Sequence, residues 1–325
     1  MILAGDIGGT KTALALYSPG TGPRRPLALA TFPSGDYASL EDIVRAFLSN
    51  LDTRVERASF GIAGPVVRGR SQVTNLPWVV DTQSLSGALG GVPVRLLNDL
   101  EAIANAIPFL EPTDLATLNR GQPEQHGPLA IIAPGTGLGE AYMVWDGTRY
   151  RPHASEGGHT DFGPTSPLEV ELLSYLWPRF DHVSYERICS GIGIPNLYAF
   201  FKDSGNAFEP EWLRQRLAEA VDPNPVIMQA AMEQHTEICV KTLDLFVSIL
   251  GSETGNLALK VLATGGVYLS GGISLRILSK LQEPAFLQSF TRKGRFSELL
   301  ARVPVHVILH SQVALLGVAC HGLEL

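Results

Sequence analysis

The feature that most constrains this chain is a strand–turn–strand unit that occurs twice. ILAGDIGGTKTALALYS begins at Ile2, and LAIIAPGTGLGEAYMVWDG, of the same design, begins 127 positions later at Leu129. Each reads as an apolar strand, a turn built from glycine and threonine, and a second strand. Two such hairpins imply two related lobes. The length of 325 residues accommodates them, because domains run to roughly 100–200 residues each.

Around the first hairpin the pattern is that of an α/β protein. Ile2–Gly5, Ala13–Tyr17 and Leu27–Phe32 read as an antiparallel meander, with GGTK and SPGTGPRRP as its turns. Leu40, Ile43, Val44, Phe47 and Leu48 recur at helical spacing. Ala58–Ala63 and Val94–Leu97 are buried-strand patterns, and Leu100, Ile103, Ala104 and Ile107 predict a helix capped by Asn98 or Asp99. After the second hairpin, Pro178 ends a helix that starts near Ser166, and Val226–Leu250 is the longest helix predicted. Asn119–Pro128 and Lys202–Pro210 read as polar surface loops.

Composition excludes several classes of function. The balance of 25 basic against 32 acidic residues, net −7, lacks the positive field that a nucleic acid partner requires. Charged residues make up 18% against about 25% in a typical soluble domain, so a sizeable core is expected. Cys189, Cys239 and Cys320 are scattered without a CxxC pair, which fits a reducing compartment rather than a disulfide scaffold or structural zinc. The N-terminus has no basic leader region, and Lys260 with the pairs Gly265/Gly266 and Gly271/Gly272 interrupts the most apolar stretch. A cytoplasmic protein with no membrane partner is expected.

The 33 glycines, about 10% of the chain against a usual ~7%, cluster where backbone amides would have to face something negative. In GDIGGTKT, Gly8 and Gly9 let amides approach a polyphosphate, Thr10 and Lys11 add a hydroxyl and a positive charge, and Asp6 is a candidate Mg²⁺ ligand. An ordinary glycine hairpin explains GGT as well. The second turn, with Gly135, Thr136, Gly137 and Gly139, favours phosphate, since two hairpins can clamp a triphosphate. Neither a P-loop nor a GxGxxG dinucleotide fingerprint occurs. A third cluster, ATGGVYLSGGIS with Gly265, Gly266, Gly271 and Gly272, is a candidate surface for adenine or ribose, or simply a strand-to-helix corner.

Two further segments suit a neutral polyol. Asn98 and Asp99 end a strand, the usual ligand position in an open α/β sheet; Asp99 can take a proton from an attacking hydroxyl while Asn98 bonds its neighbour. A plain helix N-cap is the alternative. EGGHTDFGP supplies Glu156 and His159 across two glycines, and YERICSG supplies Glu186, which alone reads as a solvated surface residue. The set His153, Glu156, His159 and Asp161 matches no common zinc spacing.

In order along the chain, GDIGGTKTALALY, FGIAGPV, TNLPWVV, LLNDLEAIANAIP, PGTGLG, EGGHTDFGP, YERICSG, GNLAL, TGGVYLSGGI, KGRF and LLG closely resemble bacterial-type glucokinases, sugar kinases that share a superfamily with hexokinase and actin. The resemblance implies a two-lobed actin-like ATPase (ribonuclease H-like) α/β fold: a small α/β domain from residues 1–109 and 311–325, and a larger α+β domain from 110–310, with the active site in the cleft. It implies transfer from ATP, with Mg²⁺, to the 6-hydroxyl of glucose. Asp99 matches the general base, and Asn98, Asp99, Glu156, His159 and Glu186 the sugar ligands. Gly5, Asp6, Ile7, Gly8, Gly9, Thr10 and Lys11 match the first phosphate loop, Gly135, Thr136 and Gly137 the second, and Gly265 and Gly266 the nucleotide contact. A homodimer is also implied. Lys11, Ile192 and Glu140 depart from the family pattern; a carboxylate at 140 is expected to repel phosphate or to face solvent. Another hexose or another phosphoryl donor fits the same loops, and a non-catalytic sugar sensor is disfavoured because no room precedes Gly5 for a DNA-binding helix-turn-helix.

Overall fold

The structure, a computed structural model, describes residues 1–49, 51, 53–73 and 76–324. Thr74 and Asn75 of the TNLPWVV motif lie outside the described residues. Two compact units are formed, one from Met1–Pro112, Asp146–Ala154 and His310–Leu325, the other from Thr113–Trp145 and Ser155–Leu309. The segment 146–154 thus groups with the first unit, whereas boundaries at 109/110 and 310/311 place it in the second.

The strands of the first unit are β1 (Ile2–Ile7), β2 (Lys11–Tyr17), β3 (Ala28–Pro33), β4 (Arg57–Ile62), β5 (Arg70–Gln72), β6 (Val79–Asp81) and β7 (Val94–Asn98). Five of them form a sheet in the order β3-β2-β1-β4-β7, antiparallel through β1 and parallel from β1 to β7. The meander read from the sequence is the antiparallel part. Because side chains alternate along a strand, Leu3 and Ile7 join one core layer with Leu14, Leu40, Ile43 and Phe60. Ile2 and Ala4 face the other layer, where Ala102, Leu315, Val318 and Ala319 pack. Helix Leu40–Leu48 covers the first face, its N-terminus capped by Ser39. Helices Asp99–Ala106 and Val313–Glu324 cover the second. These two approach so closely that a Cβ at Gly317 would overlap the Ala102 carbonyl oxygen.

In the second unit β8 (Leu115–Asn119), β9 (Leu129–Pro134) and β10 (Leu138–Trp145) precede β11 (Tyr150–Ser155), most of which belongs to the first unit, and β12 (Gly266–Leu269) and β13 (Val305–Ile308) follow. The sheet order β10-β9-β12-β13 repeats the pairing of β2-β1-β4-β7: one antiparallel hairpin, then two parallel neighbours. The repeated hairpin therefore heads a repeated sheet.

The long predicted helix is two helices. Pro223–Met232 ends at Glu233, Gln234 takes a left-handed φ of 53°, and a new helix runs from Glu237 to Val261. Glu233, Gln234 and His235 supply no apolar residue to continue the buried stripe, so the chain breaks there. Further along, Gly251 and Gly255 let the second helix approach the Phe286 and Phe290 carbonyls of helix Pro284–Thr291, which explains its extension past Leu250. Among the described residues no helix is long and apolar enough to cross a membrane.

Candidate active site

In the first unit, sheet register brings the sequence candidates to one edge. Ile7 lies opposite Ile62, and Ile62 opposite Asn98, so the parallel strands β1, β4 and β7 end side by side. Gly8–Thr10 and Asn98–Asp99 both follow directly from those carboxyl ends. Gly5 lies within β1, where a Cβ would press on Phe60 and Leu14; its glycine serves sheet packing.

The turn after β1 is rigidly held. Gly8 donates its amide to the Lys11 carbonyl at 2.9 Å. Ser34, fully buried, donates its hydroxyl to the Gly8 carbonyl at 2.8 Å and its amide to the Thr10 carbonyl at 3.0 Å. Its Oγ also lies 3.0 Å from Thr12 Oγ1. Sequence reasoning passed over Ser34; its only local signal is a small hydroxyl residue directly after the third strand. Thr10 and Lys11 are exposed.

Asn98 caps the helix that carries Asp99. Its Oδ1 accepts from the Leu100 amide at 2.9 Å, its amide donates to the Gly64 carbonyl at 3.2 Å, and Glu101 closes a capping box on its backbone amide. Asp99 Oδ1 also accepts from Leu100 N at 2.9 Å. Both are half-buried, so the cap alternative is correct for Asn98 without consuming every polar atom it has. Burial, then the neighbouring Asp99 charge, push the Asp6 carboxyl up to about 6. The Asp6 carboxyl, a hard oxygen donor within electrostatic reach of Asp99, suits Mg²⁺, which takes one or two carboxylates and completes its shell with water and phosphate oxygens. Asp6 fits that role.

In the second unit the candidates form one hydrogen-bonded network. Glu186 Oε2 accepts from the Leu138 amide at 2.9 Å, and a Cβ at Gly137 would overlap that same oxygen. The Glu186 amide donates to the Gly158 carbonyl at 2.8 Å, and the His159 amide to the Glu156 carbonyl at 3.0 Å. His159 Nε2 lies 3.9 Å from Glu186 Oε1. Gly135 bonds to Gly137 across the turn at 2.8 Å, while Gly191 and Ile192 donate to the carbonyls of Gly135 and Thr136. The departure at Ile192 therefore touches the turn through its backbone. Glu156 and His159 are exposed; Glu186 is half-buried, not a solvated surface residue.

Two expectations need correction. Gly265 and Gly266 lie at the start of β12, opposite Leu129, the far end of the strands from the Gly135–Gly137 turn. Their small size admits the Gly127 backbone: Gly265 donates to the Pro128 carbonyl at 3.0 Å, and a Cβ there would overlap Gly127 O. The pair beside the turn is Gly271/Gly272, with Gly271 at φ +87° against the Pro134 carbonyl. Glu140 neither meets phosphate nor faces solvent; it is 2% exposed, inside the second unit. Among the described residues no group of three or more His, Cys, Asp or Glu side chains is placed to hold a metal, and Asp161 pairs with His182 at 2.7 Å.

The sequence profile of the glucokinase family matches residues 3–324. A glucokinase of Nostoc punctiforme is 40% identical, with 98% of each chain covered. Among solved structures, a glucokinase from an Antarctic psychrotroph matches with a TM-score of 0.86 at 31% identity, covering 98% of both chains. A Streptomyces griseus ROK-family glucokinase, solved with glucose and AMPPNP, shares the fold at a TM-score of 0.64 and 20% identity, covering 98% and 97%.

Proposed function

The chain belongs to the glucokinase family and transfers a phosphoryl group from ATP to glucose, and from that premise we propose that Asp99 is the general base and that the two glycine turns hold the phosphates. The observation that carries this reading is the adjacency of Asp6 and Asp99 beside the Gly8–Thr10 turn, at the carboxyl ends of β1 and β7.

The 6-hydroxyl of glucose gives its proton to Asp99 as its oxygen bonds to the γ-phosphorus, while the bond to the β–γ bridging oxygen breaks and ADP leaves. Backbone amides of Gly9 and Thr10 in the first turn and of Thr136 and Gly137 in the second stabilise charge on the phosphate oxygens, those of Gly8 and Gly135 being spent within the turns, and Lys11 adds a positive charge. Asp6 would hold Mg²⁺, which would supply charge neutralisation at the phosphates. Glu156, His159 and Glu186 orient the sugar, with Asn98 bonding a hydroxyl through the part of its amide not spent on Gly64. Gly265 and Gly266 are left to the fold. Glucose and ATP are the small-molecule partners of this reading, which also takes the fold as the two-lobed actin-like architecture and the enzyme as a cytoplasmic homodimer.

A coupled assay with glucose, ATP and Mg²⁺ tests the activity: ADP must form with glucose and stop when Asp99 becomes Asn. Near-normal turnover by Asp99→Asn removes Asp99 from the role of base. Light scattering tests the dimer.

A further inference from the structure

Glu140 stands on β10, two residues beyond Leu138, and is 2% exposed. No donor reaches either carboxyl oxygen of the ionised group; as the acid, Glu140 shares a side-chain hydrogen bond with Glu253. A Cβ at Gly157 would overlap its Oε2, so the carboxyl lies directly against the backbone between Glu156 and Gly158. The same short loop is held from two other sides: the Gly157 amide donates to Ser155 Oγ at 3.0 Å, and Gly158 lies so close to β10 that a Cβ there would overlap the Leu138 carbonyl oxygen. A buried carboxyl with unmet polar atoms is costly, and such a group calls for an account.

The charges around it give that account. From helix Glu237–Val261, Glu253 adjoins Glu140 and is fully buried; it receives the Lys260 ammonium at 3.2 Å and the Asn256 amide at 2.8 Å. Lys293 and Glu169 lie one step further out, near Glu253. Tyr185 and Cys189, from the segment that also carries Glu186, are kept uncharged by burial. Two ammoniums, Lys260 and Lys293, thus compensate two carboxylates, Glu253 and Glu169, and a third ionised carboxylate at 140 has no counter-charge. Burial and the Glu253 charge push Glu140 up to about 8, against a smaller opposing pull from Lys260.

We propose that Glu140 is a positioning residue for glucose: as a neutral carboxylic acid packed under Gly157 it holds the 156–159 loop in place, and its ionisation releases that loop and weakens sugar binding. The proposal rests on the sugar-binding reading of Glu156 and His159. An anion at 140 draws water and repels Glu253, and the backbone at Gly157 is the element without a side chain to resist.

The test is the dissociation constant of glucose, measured by titration calorimetry on the full chain without ATP, from pH 6.5 to 9.5. For the wild type, Kd stays level to about pH 7.5 and then rises roughly tenfold by pH 9, one decade for each unit above the group's midpoint. Glu140→Gln, a permanently neutral analogue, flattens the alkaline rise. Glu253→Gln, which removes the repelling charge, shifts the rise to lower pH by about one unit and serves if Glu140→Gln fails to fold. A wild-type Kd that is level to pH 9.5, or a rise that persists unchanged in either variant, overturns the proposal. Absence of glucose binding at pH 7 in the wild type instead overturns the sugar-site reading, so the two failures are distinguishable.

Discussion

Leu138 donates its backbone amide to Oε2 of Glu186 at 2.9 Å, which ties the second glycine turn to a sugar-side carboxylate. On the proposed reading of Glu186 as a sugar ligand and of the turn as a phosphate loop, one side chain serves both substrates. Replacing Glu186 by Ala removes a hydrogen bond to a charged acceptor, worth about 1.5–3 kcal/mol. The KM values for glucose and for ATP are both expected to rise, each by roughly tenfold or more. Initial rates with each substrate varied in turn check this; an unchanged KM for ATP removes the turn from the phosphate site.

Asp99→Asn retains an oxygen able to accept from Leu100 N, so the helix start stays capped. The base is lost. A fall in kcat of about 10²–10⁴-fold is expected, with little change in glucose affinity. Steady-state rates together with calorimetric Kd values separate the two effects.

Ser34→Ala removes the hydroxyl that holds the Gly8 carbonyl at 2.8 Å in a buried site. The unpaired Thr12 hydroxyl and Gly8 carbonyl cost about 1–3 kcal/mol. A raised KM for ATP with an unchanged KM for glucose is the expected signature, and a uniform loss of activity through unfolding is checked by thermal melting.

Stability carries its own pH dependence through Glu140. Its folded value of about 8 lies above the ordinary 4.5, so its contribution is complete below about pH 4.5 and is lost as pH rises toward 8. Above pH 8, Glu140→Gln is expected to melt several degrees higher than the wild type, a gap that narrows toward acid pH. Melting curves at pH 5 and pH 8.5 test the sign; equal gaps at both refute it.

Helix packing offers a last variant. Gly317→Ala places a Cβ on the Ala102 carbonyl oxygen, and such overpacking costs about 1–3 kcal/mol. Because Ala102 sits one turn beyond Asp99, both melting temperature and kcat are expected to fall, while Ala at exposed Gly87 on helix Thr82–Ala88 leaves both unchanged.

What the sequence made legible was what is local. The hairpins at Ile2 and Leu129, the helix at Leu40 and the cap at Asn98 follow from alternation, turn chemistry and a single side-chain oxygen. The break at Gln234 escaped because apolar spacing does not register a left-handed residue. Gly265 and Gly266 misled for a related reason: glycine reports that backbone comes close to something, and here the something is Gly127. Glu140 was read as a surface or phosphate-facing charge because its neighbours, Glu253 and Gly157, are brought beside it only by tertiary packing. Ser34 was invisible for the same reason, its partners being the carbonyls of a turn on another strand pair.

The helix Val313–Glu324 packs on β1 and on the helix that begins at Asp99. Ribosomal synthesis delivers Asp99 early and its packing partner more than two hundred residues later. Throughout that interval the Asp99 helix lacks the cover of helix Val313–Glu324, so the first sheet to emerge is among the last to have its second face closed. The nascent chain therefore presents to chaperones the same apolar strip that Val318 and Ala319 later close.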